Sequence, residues 1–520
     1  RAQRHRRLAP ARTRPRFDRR QAQGRAKGRR EEEAVQAQGV EQEVTLVSSQ
    51  PSRDDLARAI ERGDIDTVVM AFPDLQGRLV GKRTTGRFFL EQVAQHGTEN
   101  CDYLIATDFD DVAVPGYDFA SYDLGYGDML ARADFGTIRF TPWVRKTALV
   151  LCDLYSVKTG QPIAVSPRQV LRDQVTAAQR MNLEPMIGSE IEFYLFRDSY
   201  EQIHARGYSG LTPHSPFMED YQIVQTTRDE YVVGEIRRGL EVAGIPVEFS
   251  KGEAGRGQHE INLAYARALE MADRNTVYKT AAKEIAGGLG RSVTFMAKYD
   301  FAETGSSCHV HSSLWHLSEG AVRGSAFDGA HGGHGAHGGP GAHGGHGDAA
   351  TTDHFRMYLA GQLAAARDFS ILWAPTVNSY KRFQPGSWAP TAVAWGVDNR
   401  TLGYRVVGHG ASTRVECRIP GADANSYFAF AGTIAAGLYG IRHKLQLPEP
   451  YAGNGYEARD LARIPATLAE AADLWQRSDI ARECFGDEVH RHLLNMARHE
   501  WSTFNQTVTD WERVRYFDRA

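Results

Sequence analysis

One apolar stretch that carries two closely spaced glutamates constrains this chain more than any other feature. Residues Met186–Phe196 are rich in apolar and aromatic side chains, as expected of a buried strand. Because alternate side chains of a strand share a face, Glu190 and Glu192 point the same way, and the apolar residues beside them point the other way. Two adjacent carboxylates repel each other and are costly to desolvate, and a divalent cation would relieve both effects. The alternative, from this stretch alone, is a sheet face that meets water.

Three later segments combine similar patterns with further metal-ligand residues, namely Glu253, Glu260, His309, His311 and Glu416. The first two flank a glycine-rich turn that would bring both carboxylates to one ion, and the two histidines share one face of a predicted strand. Glu416 lies between Arg414 and Arg418 in another alternating strand. Together the segments predict one polar cavity backed by a sheet. Its mostly oxygen ligands favour Mg2+ or Mn2+, since zinc prefers more sulfur and nitrogen.

The composition is that of an ordinary soluble protein. The 520-residue chain has a formal net charge of -3 and a pI near 6.7, which gives no overall case for nucleic-acid binding. No apolar run approaches the roughly 20 residues that a membrane span needs. The five cysteines show no Cys-x-x-Cys spacing, so we expect reduced thiols in a cytoplasmic protein.

Residues 1–50 form a separate compositional block, with twelve arginines among the first thirty residues and few large apolar side chains. Such a segment buries too little apolar surface to fold alone, so we predict a disordered basic arm. A misassigned start or a fragment is the favoured interpretation, and an arm that binds nucleic acid or an acidic partner is the alternative. A secretory signal is excluded because no apolar segment follows the charges.

A second low-complexity block, residues 319–350, is dominated by glycine and alanine and contains five histidines. Irregular spacing in a glycine-rich segment cannot fix a rigid metal geometry. We therefore predict a flexible surface insert, with adventitious metal binding as the alternative.

Apolar periodicity predicts the other elements of the chain. Helices are expected at 54–62, 168–181, 265–288, 354–373, 427–445 and 489–516. Short strands are expected at 67–72, 103–106, 137–140 and 147–153.

Several short motifs follow one another in a specific order. They are Ser-Glu-Ile-Glu-Phe at 189–193, Gly-Gln at 257–258 between two glutamates, Thr-Phe-Met-Ala-Lys at 294–298, Gly-Ser-Ser-Cys-His-Val-His-Ser-Ser at 305–313, Asn-Ser-Tyr-Lys-Arg at 378–382, Asn-Arg at 399–400 and Arg-Val-Glu-Cys-Arg at 414–418. In this order they resemble the motifs of the glutamine synthetase family, in particular those of its type I-like members. The resemblance runs from about residue 64 to the C-terminus and is nearest to the γ-glutamylpolyamine synthetase branch.

The resemblance implies an α+β fold in two parts. A small N-terminal β-grasp domain would occupy residues 51–157, and a large catalytic domain with a curved antiparallel sheet flanked by helices would occupy 158–520. It also implies a homo-oligomer, a dodecamer of two hexameric rings, in which the small domain completes the active site of a neighbouring subunit. No membrane and no nucleic acid are expected as partners.

The family's reaction is ATP-dependent ligation of the γ-carboxylate of L-glutamate to an amine through γ-glutamyl phosphate, with two to three Mg2+ or Mn2+ ions per site. The resemblance assigns one metal to Glu192, Glu253 and Glu260. It assigns another to Glu190, His309 and Glu416. The residues that would bind glutamate are Gly305, Arg382 and Arg418, and the one that would steady the transferring phosphoryl group is Arg400. The residues matching nucleotide-site positions are Glu248, His311, Ser313, Arg405 and Arg414.

One departure from the family pattern concerns the amine. Ammonia-using members carry a glutamate after the arginine signature that binds ammonium, and the matching residue here is Trp388. No glutamate occurs between Gln384 and Val415, so this loss does not depend on a one-residue alignment shift. An indole cannot replace the carboxylate, but it can offer a cation–π face to a larger ammonium. We therefore predict a ligase for a small amine or polyamine, with putrescine, cadaverine, spermidine and ethanolamine as candidates.

Two alternatives stay open on the sequence alone. One is a true glutamine synthetase with an altered ammonium site. The other is a non-catalytic regulatory relative, which the six intact metal-ligand positions disfavour. The base that deprotonates the amine is assigned to Asp128, with the acidic cluster Asp108, Asp110 and Asp111 as the alternative, because the resemblance places an acidic residue of the small domain at the amine site. No lysine lies between Arg405 and Glu416, so one nucleotide contact of the family is missing.

Overall fold

The computed structural model describes residues 50–329 and 352–520. The predicted N-terminal arm, apart from its last residue, and residues 330–350 of the predicted insert lie outside the described residues. All described residues belong to one compact unit. The boundary expected near residue 157 between two domains therefore stays a prediction.

Six strands between residues 67 and 156 form the first sheet. They are β1 (Thr67–Pro73), β2 (Leu79–Thr85), β3 (Thr98–Cys101), β4 (Asp128–Ala133), β5 (Arg139–Phe140) and β6 (Thr147–Ser156). Their order is β2-β1-β6-β4-β3, with β5 beside β6, and only β1 and β6 run parallel. Val68, Met70 and Val150 are buried, as expected for β-branched and apolar side chains in the middle of a sheet.

Within the described part of the chain, nine strands form the second sheet, which carries most of the residues singled out above. They are β7 (Leu183–Phe196), β8 (Val247–Gly252), β9 (Gln258–Arg267), β10 (Ser292–Thr294), β11 (Cys308–Ser318), β12 (Ala321–Ser325), β13 (Trp395–Val397), β14 (Tyr404–Val407) and β15 (Arg414–Cys417). The order is β13-β14-β15-β11-β7-β9-β8, with β10 beside β7 and β12 beside β11. Every pairing is antiparallel except that of β13 with β14.

The α-helices pack around these sheets. They are α1 (Arg53–Glu61), α2 (Gly86–Phe88), α3 (Ala94–His96), α4 (Pro167–Gln179), α5 (Tyr200–Ala205), α6 (Ile223–Thr226), α7 (Glu230–Val242), α8 (Ala268–Gly288), α9 (Asp353–Ala365), α10 (Ser370–Trp373), α11 (Ser426–Arg442), α12 (Leu468–Arg477), α13 (Asp479–Asn505) and α14 (Asp510–Tyr516). Shorter helical turns are Phe89–Val93, Asp102–Ile105, Phe135–Thr137, Ser379–Arg382 and Gly410–Ser412. In the described part of the chain, none of these helices is both long and apolar enough to cross a membrane.

The apolar back of β7 explains where the core lies. Ile191, Phe193 and Leu195 are fully buried, as the alternation predicted. Helix α8 covers this face, with the Phe193 and Tyr278 rings 6.5 Å apart and the Tyr278 hydroxyl donating to the Ile191 carbonyl at 3.4 Å. The opposite face of β7 is thereby left for polar side chains.

Some predicted elements differ from the structure. Residues 103–106 were expected to form a strand, but Asp102–Ile105 is a 3-10 turn that ends at Ala106. The start of the expected helix at 265–288 belongs to β9, and the expected helix at 354–373 is interrupted between α9 and α10. Residues 319–329 were assigned to the flexible insert, yet they form a turn and strand β12, which pairs with β11. Cross-strand pairing with β11, which the local composition does not reveal, orders this glycine-containing segment.

Close packing of α9 against α11 generates a stability prediction. A Cβ at Gly440 would lie 2.0 Å from the Met357 carbonyl oxygen and 2.6 Å from the Gly361 nitrogen. Gly440→Ala must therefore separate two helices, and we expect it to reduce the free energy of unfolding by about 1–3 kcal/mol. Thermal unfolding followed by circular dichroism would measure this loss. Gly288→Ala, at the open end of α8, has no atom within 4 Å of the new Cβ and should not lower the midpoint.

Candidate active site

Strand register brings the candidate metal ligands onto one face of the second sheet. Strand β7 lies between β11 and β9, and β15 follows on the far side of β11. Glu190 pairs with His309, Glu192 pairs with Glu260, and His311 pairs with Glu416. Because paired residues point to the same face of a sheet, four strands that are distant in sequence contribute to a single polar surface.

The first group of candidate ligands is Glu190, His309 and Glu416. The Nδ1 atom of His309 lies 3.1 Å from Glu190 Oε2 and 3.6 Å from Glu416 Oε1. His311 Nε2 lies 3.0 Å from the other oxygen of Glu190. Burial, aided by Arg418, lowers the pKa of His309 to about 4, so its imidazole is neutral near pH 7 and has a lone pair to offer a metal.

Two arginines balance the charge of Glu416, which is completely buried. Arg418 Nη1 donates to one carboxylate oxygen at 2.5 Å, and Arg405 Nη1 donates to the other at 2.8 Å. Burial would raise the pKa of Glu416, but Arg418 overcomes it and the pKa falls to about 2. Arg414, which flanks Glu416 in the sequence, does not pair with it and donates from Nε to His311 Nδ1 at 3.4 Å instead. Arg405 takes its place because β14 pairs with β15 and sets Arg405 directly opposite Glu416.

The second group is Glu192, Glu260 and His309, with Glu253 beside them. One oxygen of Glu192, one oxygen of Glu260 and one nitrogen of His309 lie within 4.8 Å of one another. Burial and the charge of Glu253 raise the pKa of Glu192 to about 8. Burial and the charges of Glu190 and Glu253 likewise raise the pKa of Glu260 well above its usual range. Like charges are therefore crowded here beyond what the protein alone neutralises.

Three residues that sequence reasoning missed hold this second group. Ser307 donates to Glu192 from its backbone nitrogen at 2.8 Å and from its hydroxyl at 2.6 Å, and Gln258 Nε2 adds a third hydrogen bond at 3.1 Å. Lys251 forms an ion pair with Glu253, and its Nζ lies 3.8 Å from Glu260 Oε1. The available signal for Lys251 was its position two residues before Glu253, which is the same-face spacing of a strand.

The donor chemistry of both groups fits divalent cations. The ligand atoms are five carboxylates and one neutral imidazole, which suit Mg2+ or Mn2+. The Lys251 ammonium pairs with Glu253 and lies near Glu260. A cationic side chain of the protein therefore already balances part of the negative charge of these two carboxylates.

The candidate glutamate-binding residues lie beside the second group. Arg382 is only 2% exposed, and its Nη2 donates to the backbone carbonyls of Arg418 and Ile419. The Nε atoms of both arginines are buried without a hydrogen-bond partner. A Cβ at Gly305 would lie 2.4 Å from Arg382 Cγ, so this position requires glycine. Buried guanidinium groups with unused donors are suited to an anionic ligand.

Trp388 lies at the edge of the same region. Its side chain is 59% exposed, and its backbone carbonyl accepts a hydrogen bond from Arg418 Nη2 at 3.4 Å. Its φ of 63° is in the left-handed region, which a bulky residue occupies only at a cost of about 1–3 kcal/mol. Such local strain is frequent at ligand-binding sites.

The other candidate residues are distributed more widely. Ser313 is on β11, and its hydroxyl accepts a hydrogen bond from Trp315 at 3.1 Å. Glu248 is exposed on β8, Arg400 is exposed in the turn between β13 and β14, and Asp128 is exposed at the start of β4 in the first sheet. Within residues 50–329 and 352–520, no side-chain hydrogen bond or ion pair connects these last three to the two ligand groups.

Comparison with known proteins identifies the family. Residues 164–516, more than half of the chain, match the glutamine synthetase catalytic domain. This chain belongs to the glutamine synthetase family. The family that the order of the motifs predicted is therefore confirmed.

Individual members of the glutamine synthetase family align along most of the chain. The γ-glutamylethanolamide synthetase of Streptomyces coelicolor is 49% identical over 90% of this chain and 96% of that protein. A glutamate–isopropylamine ligase of a Pseudomonas species is 36% identical over 88% of this chain and 96% of its own. A type-1 glutamine synthetase of Dictyostelium discoideum is 33% identical over 87% of this chain and 83% of its own. The solved structure of a GmaS/ADP complex has the same fold, with a TM-score of 0.75 and 24% identity over 89% of this chain and 99% of that chain.

Neutralising one buried carboxylate tests the second group. In Glu192→Gln the amide oxygen can accept from the Ser307 nitrogen and Gln258, while the amide nitrogen donates to the Ser307 hydroxyl, so the fold should persist. We expect the metal-free variant to be at least as stable as the wild type, because the neutral amide bears no repelling charge at any pH, whereas Glu192 avoids that charge only by binding a proton. The rise in unfolding midpoint that Mg2+ or Mn2+ gives the wild type should shrink strongly.

Thermal unfolding with and without each ion measures both effects. Glu270→Gln, which neutralises a carboxylate outside the site, is the control and should keep the ion-induced rise. An undiminished rise in Glu192→Gln would exclude this carboxylate as a ligand.

Proposed function

We propose that the protein is an ATP-dependent ligase that joins the γ-carboxylate of L-glutamate to a primary amine other than ammonia. The replacement of the family's ammonium-binding glutamate by Trp388 carries this proposal. Two amine ligases, at 49% and 36% identity, support it over a true glutamine synthetase, for which the Dictyostelium relative at 33% is the example. Among the candidates, ethanolamine is favoured because the 49% identical relative is a γ-glutamylethanolamide synthetase. Polyamines stay among the candidate amines and are included in the experiment described below.

In this proposal, some residues of the chain bind the anionic substrates, and others hold the metal ions that neutralise the substrates' charges. Mg2+ or Mn2+ would be held by one group, Glu190, His309 and Glu416, and by a second, Glu192, Glu253 and Glu260. When bound, these ions would neutralise the phosphate charges of ATP and the substrate carboxylate. Arg382 and Arg418 would grip glutamate with planar guanidinium groups, and the Gly305 backbone would contact it.

The nucleotide would be bound along β8, β11, β14 and β15 by Glu248, His311, Ser313, Arg405 and Arg414. Arg400, in an exposed turn, would reach the transferring phosphoryl group. A carboxylate lacks a good leaving group, and phosphorylation by ATP supplies one. The amine nitrogen then attacks the carbonyl carbon of the γ-glutamyl phosphate, the C–N bond forms, and phosphate leaves with the electrons of the C–O bond.

The attacking amine must lose a proton, and we assign that step to Asp128. This residue is in the six-stranded sheet, which we propose to be the β-grasp domain at 51–157, followed by the catalytic domain at 158–520. Asp128 would act in the active site of a neighbouring subunit, so the assignment requires a homo-oligomer, for which we propose two hexameric rings. We also propose that the protein is located in the cytoplasm.

An amine panel tests the substrate. Phosphate release from ATP with glutamate and Mg2+ should be stimulated by ethanolamine or another organic amine from the panel of isopropylamine, putrescine, cadaverine and spermidine, and not by ammonium. Trp388→Ala should raise KM for the preferred amine about 2- to 30-fold, which corresponds to a cation–π contribution of about 0.5–2 kcal/mol, and leave KM for glutamate unchanged. Leu289→Ala removes an exposed apolar side chain just after α8 and serves as control. Stimulation by ammonium alone would contradict the proposal and would show that the protein is an ordinary glutamine synthetase.

Arginine geometry gives a prediction for the glutamate site. Arg382→Lys keeps the positive charge but loses the planar pair of donors, so we expect KM for glutamate to rise about 10- to 100-fold, corresponding to about 1.5–3 kcal/mol for charged hydrogen bonds. Steady-state kinetics at saturating amine and ATP would measure it. Arg274→Lys, in an ion pair on α8, is the matched control. An unchanged KM for glutamate in Arg382→Lys would contradict the assignment.

A further inference from the structure

A third cluster of metal-ligand residues lies behind the candidate active site, on the other face of β9. Gln258 and Glu260 point to the polar face, so the intervening His259 points to the opposite side. His259 is buried there, with its ring 5.9 Å from that of Phe193. The proposed ligase function uses none of the residues that surround His259.

Two buried carboxylates meet the imidazole of His259. Asp229, immediately before α7, has Oδ2 2.8 Å from His259 Nε2. Glu219, in the segment before α6, has Oε2 3.7 Å from the same nitrogen. One ligand atom from each of the three residues lies within 4.8 Å of the others. In a tetrahedral zinc site the ligand atoms are about 3.3 Å apart, so small side-chain shifts would place all three around one ion.

Glu219 has no partner within the cluster that explains its burial. The residue is 0% exposed, and among the described residues no group meets either of its carboxylate oxygens with hydrogen-bond geometry, although Ser215 and Asp229 lie near enough to affect its pKa. Buried polar groups are almost always hydrogen-bonded, because an unpartnered carboxylate loses its hydration without compensation. Burial accordingly raises the pKa of Glu219. An unpartnered carboxylate aimed at a histidine and a second carboxylate is an arrangement that a bound cation would satisfy.

A second histidine contacts Asp229 and fixes its orientation, as neighbouring residues usually do for metal ligands. Its other oxygen, Oδ1, is hydrogen-bonded to His214 Nδ1, and His214 Nε2 lies 3.0 Å from the Tyr231 hydroxyl. Outer residues of this kind fix the orientation of the ligands that they contact.

We propose that Glu219, Asp229 and His259 bind one Zn2+ ion, with His214 as a positioning residue for Asp229. Two carboxylates and one imidazole are donors that zinc accepts, and this is the same donor set as that of Glu190, His309 and Glu416 on the polar face. The ion would fasten residues 214–229 to the back of β9, the strand that carries Gln258 and Glu260 on its front. Its role is structural, and the site goes beyond the proposed ligase function.

Metal retention by the full chain tests the proposal without using ligase activity. Protein stripped with a chelator is equilibrated with excess Mg2+, to fill the oxygen-rich sites, then with Zn2+, and desalted before elemental analysis. The wild type should retain one zinc per chain more than Glu219→Gln does. Glu219→Gln should lose it, and His214→Gln should weaken zinc binding about 10-fold or more. Glu253→Gln, which alters the polar face, is the matched control and should retain the zinc.

The opposite results would overturn the site. No retained zinc in the wild type would mean that Glu219 is buried in protonated form, sharing a proton with its neighbours. Zinc that is lost in Glu253→Gln but kept in Glu219→Gln would belong to the polar face. If Glu219→Gln does not fold, anomalous diffraction at the zinc edge from zinc-soaked wild-type crystals decides: a peak between Glu219, Asp229 and His259 supports the proposal, and its absence there overturns it.

Discussion

Repulsion among buried carboxylates is the constraint on which this structure depends. Strand pairing forces Glu190, Glu192 and Glu260 onto one face, and Glu253 and Glu416 join them from the neighbouring turn and strand. Within the described residues the compensating charges are local: Arg405 and Arg418 neutralise Glu416, and Lys251 serves Glu253. Glu260 lies farther from Lys251, at 3.8 Å, and burial together with the neighbouring carboxylates raises the pKa values of Glu192 and Glu260. The unbalanced charge is what makes the face receptive to metal ions.

The apolar side of the same sheet holds this unfavourable arrangement in place. Ile191 and Phe193 alternate with the glutamates of β7 and are fixed against α8, so the carboxylates cannot separate without disrupting the core. Burial of such side chains contributes about 1.5–3 kcal/mol each, which offsets the cost of crowded charge. Strand β9 obeys the same alternation, but its back carries His259 in a polar cluster. The two faces of β9 therefore differ in their electrostatics: the front carries crowded carboxylates, and the back carries a histidine paired with acidic side chains.

Local patterns in the sequence account for much of this arrangement. Alternation predicted which side chains of β7, β11 and β15 share a face, because that depends only on the pleat of a strand. Alternation does not reveal which strands pair, so the position of Arg405 directly opposite Glu416 could not be predicted. The Glu219, Asp229 and His259 cluster was missed for the same reason, since its members come from separate segments without a common period. Similarly, strand β12 depends on its pairing with β11.

The geometry at Trp388 explains how the amine site can diverge while the glutamate site is retained. Arg418 is contacted by the backbone carbonyl of Trp388, not by its indole. A carbonyl is present whichever residue occupies the position, so the support of Arg418 does not depend on the side chain. The side chain itself is largely exposed and free to change from a carboxylate to an indole. Such a change alters the charge offered to the incoming amine without moving the arginines proposed to hold glutamate. If Trp388 lines the amine site as proposed, a change of its side chain therefore leaves the contact of its carbonyl with Arg418 in place.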